Sequence, residues 1–99
     1  MASDERNDPP RAVVRTKPIY PFKAQQRGIE GQVAIRFLVR RDGSIGDIVI
    51  DHANPPGVFE DAVREAVSHW RFEPGRLAGE PVDTWVSLPI SFDLNAGQQ

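Results

Sequence analysis

The sequence predicts an α+β fold in which a three-stranded antiparallel sheet packs against two helices, in the order helix, strand, strand, helix, strand. Two patterns carry this prediction. Apolar and polar residues alternate over 32–40 and again over 82–94, as in strands with one buried face. Between them, apolar residues from Phe59 to Trp70 recur at offsets 0, 3, 4, 7, 8 and 11, which is the period of a helix.

Length and composition fit a single domain and exclude several classes of function. The chain has 99 residues and a formal net charge of −2, which gives no broad attraction for nucleic acid or anionic lipid. It has no cysteine, so disulfides, thiolate zinc sites and cysteine nucleophiles are excluded. No apolar run approaches the roughly 18 residues of a membrane-spanning helix.

The ends of the chain differ in composition from its middle. Residues 1–12 are rich in charge and proline with almost nothing apolar, so we expect a flexible lead-in. The domain itself is expected over 13–94, and residues 95–99 are expected to form a flexible tail.

The first elements follow from proline and glycine positions. Lys17 and Tyr20 each precede a proline, which pushes both towards extended geometry, so an extended arm should lead into the domain. A short helix is then expected with Pro21 as its first residue and Gly28 closing it in a left-handed conformation.

The predicted sheet begins with a hairpin. The strand over 32–40 is followed by Arg41-Asp42-Gly43-Ser44, in which glycine is available for positive φ. Ile48 resumes the alternation, whereas Ile45 has the wrong parity, so a β-bulge near Gly46-Asp47 is expected. Residues 74–81 contain prolines and glycines and are expected to form a loop before the last strand.

Pro89 lies inside that last strand. Side-chain parity and the lateral direction of the backbone alternate together, and a proline that lacks the N–H donor fits only an unpaired side. The last strand is therefore predicted to be a sheet edge, with the backbone of Ser87, Pro89 and Ser91 facing open space. Two roles are open for such an edge: a proline that blocks aggregation, or a docking site for a partner's strand.

A set of motifs occurs in order along the chain. They are Tyr20-Pro21-x-x-Ala24, Gly28-Ile29-Glu30-Gly31-Gln32-Val33, Asp42-Gly43, Phe59-x-x-Ala62-Val63, Trp70-Arg71-Phe72-x-Pro74 and Pro89-Ile90-x-Phe92. Over about residues 13–94 the set resembles the C-terminal domain of TonB-type energy transducers. The resemblance implies a periplasmic domain of an inner-membrane-anchored protein, with the anchor and a proline-rich spacer outside this chain.

The resemblance also implies a function. Such domains bind the TonB box of outer-membrane TonB-dependent receptors by strand addition, which falls on Thr84 to Phe92 here. They transmit force derived from the proton gradient, through an ExbB–ExbD type motor, for import of siderophores, haem or cobalamin. The implied partner-binding residues lie on the last strand and in the arm. They are Thr84, Trp85, Ser87, Pro89 and Ser91, together with Arg15, Lys17 and Tyr20.

Some of these residues have more than one reading. Family members often carry glutamine where Lys17 stands, which suggests here a partner with an acidic or carbonyl-rich segment. Tyr20 could anchor the arm or touch the partner, and both roles stay open. Trp70 lies on the apolar stripe and should be core, whereas Trp85 has polar parity and is a candidate hot spot.

No motif for catalysis is visible, so we expect a non-enzyme with no cofactor and no metal. His52 and His69 lie on different predicted elements without a third ligand at a useful spacing. The alternative is a TonB-like interaction or dimerisation module of a different envelope protein, such as a sensor or secretion fusion. An open edge would also allow a homodimer of this fragment.

Overall fold

The computed structural model describes residues 7–94. It contains two helices, α1 (Phe22–Arg27) and α2 (Glu60–Ser68), and seven strands. The strands are β1 (Arg11–Val14), β2 (Gly31–Val39), β3 (Ile45–Asn54), β4 (Arg71–Glu73), β5 (Gly75–Leu77), β6 (Glu80–Val82) and β7 (Thr84–Phe92). The long strands form one antiparallel sheet in the order β3-β2-β7, with the helices packed against it. The predicted fold class is confirmed.

The β2–β3 hairpin forms as its sequence predicts. Gly43 has φ +86° and donates its N–H to the carbonyl of Arg40 at 2.8 Å, and the Asp42 carboxylate accepts from the Ser44 backbone at 2.9 Å. Phe37 pairs with Ile48 but Val39 pairs with Ile45, which places the expected bulge at Gly46-Asp47.

The core lies between the inner face of the sheet and α2. Alternate residues of β2 are almost fully buried, and so are Val63, Ala66 and Val67 of α2, as binary patterning requires. Aromatic rings join the two layers: the Phe37 and Trp70 ring centroids are 5.7 Å apart, and those of Phe59 and Phe92 are 4.2 Å apart and stacked. Ala24 carries α1 into the same cluster.

The segment expected to be a loop over 74–81 forms a small hairpin instead. β5 pairs with β6, and the turn between them places Ala78 at φ +53° and Gly79 at φ +84°. Alanine rarely adopts positive φ, so its presence in the turn hid the hairpin from sequence reasoning.

The N-terminal segment also pairs where we expected flexibility. Asp8 exchanges two backbone hydrogen bonds with Arg76, at 3.0 and 2.8 Å, and β1 pairs with β4. Their partners are supplied by segments more than 50 residues away in sequence, which composition cannot reveal. Residues 1–6 and the expected tail over 95–99 lie outside the described residues, and the domain boundary at residue 13 stays a prediction. Pro21 caps α1 rather than starting it, with φ −59° and ψ 132°.

Candidate strand-docking edge

β7 is an edge of the sheet. It pairs with β2 from Gly31↔Phe92 to Val39↔Thr84 without a register shift, and within residues 7–94 no strand pairs with its other side. Pro89 lies opposite Ala34 in this unbroken ladder. Since proline has no N–H to donate, this must be a non-hydrogen-bonded pair, with the Pro89 backbone directed away from β2. The edge predicted from Pro89 is confirmed.

The predicted site residues of β7 lie along this edge. Ser87, Pro89 and Ser91 are exposed, and their side chains lie on the sheet face opposite the helices. Trp85 has the same parity and is 49% exposed, whereas Thr84 is half-buried at the start of the strand. Because lateral direction follows parity, the backbone N–H groups of Trp85, Ser87 and Ser91 face outwards with that side of Pro89. They form a row of donors and acceptors that another extended chain could use.

The structure adds two residues, Arg36 and Asp51, that the sequence did not predict as part of this site. The Arg36 guanidinium carbon lies 5.9 Å from the centre of the Trp85 ring, and Arg36 Nε donates to both carboxylate oxygens of Asp51 at 3.0 and 2.9 Å. The hydrogen bond and charge of Asp51 raise the pKa of Arg36 above its usual value. A second register shift, between Ala34 and Ile35, makes Asp51 the extra residue of a β-bulge. Because a bulge interrupts the alternation of side chains, the sequence did not predict that Asp51 contacts Arg36.

Tyr20 anchors the arm to the core. Its hydroxyl donates to the carbonyl of Ile29, and its ring contacts Phe59 and Phe92 edge-on at centroid distances of 5.7 and 5.6 Å. Burial raises the pKa of Tyr20, and the carboxylates of Glu30 and Asp93 raise it further. Of the two roles left open for this residue, the structure supports anchoring, and contact with a partner stays a prediction.

The two basic residues of the arm lie against α2 and the turn after it. The Arg15 guanidinium is 5.2 Å from the centre of the Trp70 ring, and the indole N–H of Trp70 donates to the carbonyl of Thr16 at 2.8 Å. Lys17 lines a shallow hollow against α2 together with Ile19. The predicted site therefore has two parts: the β7 edge, and an arm that meets β7 through Tyr20 and Phe92.

An α+β domain with a β3-β2-β7 sheet and a free β7 edge can be compared with known proteins. A family model described as the Gram-negative bacterial TonB protein C-terminal matches residues 16–94. This chain belongs to the TonB C-terminal domain family.

Relatives and solved structures of the TonB domain agree with this assignment. Protein TonB of Klebsiella pneumoniae is 41% identical over 86 residues, which are 87% of this chain and 33% of that protein. Protein TonB of Escherichia coli K12 is 45% identical over 67 residues, 68% of this chain and 28% of that protein. The solution NMR structure of the Pseudomonas aeruginosa TonB C-terminal domain has a TM-score of 0.73 at 35% identity and covers 85% of both chains. The chain thus spans about a third of the TonB proteins that it matches.

Two further properties of this TonB domain concern metal and membrane. Among residues 7–94, no three His, Asp or Glu side chains lie close enough together to hold a metal ion. Within the same residues, neither helix has the length and apolar character needed to cross a membrane.

Proposed function

We propose that this TonB domain captures the TonB box of an outer-membrane TonB-dependent receptor by strand addition to β7. The open side of β7 carries the proposal, because a nine-residue strand paired on one side only offers backbone groups to a second extended chain. Pro89 removes one donor from that row. The added strand should therefore pair in a register in which the carbonyl that faces Pro89 is hydrogen-bonded to water.

The domain would pass on force rather than carry out a reaction. Force derived from the proton gradient reaches it from an ExbB–ExbD type motor, through a part of the protein outside this chain, and serves the import of siderophores, haem or cobalamin. Strand pairing suits this task because the load is shared among several hydrogen bonds, each contributing about 0.5–1.5 kcal/mol net. Family membership supports the role in energy transduction and a periplasmic location for a domain that an inner-membrane anchor holds.

The arm forms the second part of the proposed receptor site. Arg15 and Lys17 flank Thr16 and are both exposed, so an acidic or carbonyl-rich segment next to the box would find donors there. Tyr20 holds the arm on the core through its hydrogen bond to Ile29 and so positions Arg15 and Lys17.

Backbone NMR of the labelled domain tests the proposal. Synthetic TonB-box peptides are titrated into the sample, with a peptide carrying proline at alternate positions as the control that cannot form a strand. We expect amide shifts concentrated on Thr84 to Phe92 and on residues 17–20, and none with the control peptide. Absence of shifts with every box, in a sample shown by sedimentation to be monomeric, would overturn the proposal.

Self-association is the second candidate, because the same open edge can pair with its own copy. Sedimentation of the free domain over a range of concentrations measures it. A dimer that dissociates when box peptide is added would place both activities on β7, whereas a dimer unaffected by the peptide would use another surface.

A further inference from the structure

Trp85 differs from the other side chains on the open face of β7. The three residues that share its parity further along the strand, Ser87, Pro89 and Ser91, are small. Trp85 is large and 49% exposed, and it lies one residue inside the strand. Alternate side chains of an added strand would lie on this same face, next to these four residues.

One side of the indole already has neighbours. Leu38 is paired directly opposite on β2, and it belongs to the non-hydrogen-bonded set in which side chains approach most closely. Arg36 lies diagonally across and is held by both oxygens of Asp51. On the other side, towards the free edge, no strand of residues 7–94 supplies a cross-strand partner. The exposed part of the ring is therefore available to a side chain of an added strand.

The charges around the ring restrict which side chain fits there. Arg36, the cation that lies over the ring, is already paired with Asp51 and so offers little to an acidic side chain of the partner. A basic side chain would have to share the ring with the guanidinium of Arg36, which already lies over it. An uncharged side chain with branched or extended hydrocarbon would cover the indole without either cost.

We propose that Trp85 selects an uncharged β-branched or aliphatic side chain at one position of the added strand, while the positions next to Ser87, Pro89 and Ser91 select little. The inference rests on the proposed function of β7. It assigns backbone pairing to the whole edge and side-chain preference to its Thr84 end.

A guest series in one peptide tests the assignment. A seven-residue TonB-box peptide carries valine, serine, aspartate or lysine as guest, and the guest is moved along the peptide one position at a time. We expect one position at which valine binds roughly three to ten times more tightly than serine, as aromatic to β-branched cross-strand pairs and exposed tryptophan anchors do. With valine there, the indole N–H resonance of Trp85 shifts, whereas that of buried Trp70 does not.

Two variants separate selection from binding. Trp85→Ser should still bind the peptides through the edge but lose the preference for valine. Leu77→Ser is the matched control, because it also removes an exposed apolar side chain, on β5, and it should keep the preference.

The outcomes are distinct. Binding by Trp85→Ser with the valine preference intact would overturn the role of Trp85 and leave strand addition standing. The same holds if no position of the guest shows a preference in the unsubstituted domain. If the unsubstituted domain binds no peptide of the series, the proposed function fails and the selection by Trp85 fails with it.

Discussion

The two tryptophans of this domain have opposite surroundings. Trp70 is 2% exposed, contacts Phe37 edge-on and donates its indole N–H to Thr16, so it joins the core to the arm. Trp85 is half-exposed on the outer face of the sheet. Their positions in the sequence already separate these roles, because Trp70 continues the apolar period of α2 two residues beyond its end and Trp85 has the polar parity of β7.

Replacing Trp70 should therefore destabilise the domain far more than replacing Trp85. We expect Trp70→Ala to lower the free energy of unfolding by about 3–5 kcal/mol, because it leaves a large cavity and an unpaired carbonyl at Thr16. Trp85→Ala should cost less than about 1 kcal/mol, the range of an exposed cross-strand pair. Urea denaturation followed by circular dichroism measures both, and equal losses would contradict the assignment of Trp70 to the core.

Gly43 is required by space as well as by backbone conformation. A Cβ at this position would overlap the carbonyl oxygen of Phe72, whereas a Cβ at Gly79, which also has positive φ, would meet nothing within 4 Å. We expect Gly79→Ala to cost about 1–2 kcal/mol from backbone strain alone, and Gly43→Ala to cost clearly more. Thermal unfolding of the two variants compares them, and similar losses would show that the β2–β3 turn moves away from β4 without penalty.

Tyr20 should make stability depend on alkaline pH. Its pKa is raised in the folded domain, so folding favours the neutral phenol, and this stabilisation is fully present below the unfolded pKa of about 10. It is lost as the pH rises through the higher folded-state pKa. Tyr20→Phe lacks the phenol, so its stability deficit relative to the unsubstituted domain should shrink at alkaline pH. Urea unfolding at several pH values tests this, and a deficit that does not change with pH would count against it.

At the scale of elements, β7 has one paired and one free side, and proline substitution can distinguish them. Ser91 has the parity of Pro89, so its N–H faces the free edge, whereas Ile90 directs its N–H to β2.

We therefore expect Ser91→Pro to fold with nearly unchanged stability but to weaken binding of TonB-box peptides by about two- to twelvefold, because a second donor is removed from the edge. Ile90→Pro is the contrasting variant and should fail to fold, since it breaks the ladder with β2. Circular dichroism and peptide titration are the measurements. Normal binding by a folded Ser91→Pro domain would mean that the partner does not pair with this side of β7.

The elements also differ in how far their sequences predict them. β2, α2 and β7 each have a regular apolar period, and that period predicts them. The four short strands, β1, β4, β5 and β6, have three or four residues each and form by pairing with other short segments. They are too short to show an apolar period, so the local sequence does not predict them. The site follows the same division: Pro89 predicts the free edge, whereas the contact between Arg36 and Asp51 depends on a bulge.

At the scale of the whole molecule, stability should be graded outwards from β2. This strand is central in the sheet, and alternate residues such as Val33 and Phe37 are fully buried, whereas all four residues of β1 are exposed. Amide hydrogen exchange should be slowest in β2, at the rate of global unfolding, and faster by at least tenfold in β1 and β5, which open locally. If β1 exchanges as slowly as β2, the N-terminal segment unfolds with the core as one unit.

The class of fold, the two buried faces and the free edge of β7 all follow from the amino-acid sequence. Periodicity decides which face of an element leaves water, and a proline decides which side of a strand stays unpaired, so both are local properties. Three contacts depend instead on the packed fold: Asp8 and β1 pair with β5 and β4, the Tyr20 hydroxyl donates to Ile29, and Arg36 lies over Trp85. These contacts join segments separated in the chain, and their geometry is set once the sheet and α2 have packed.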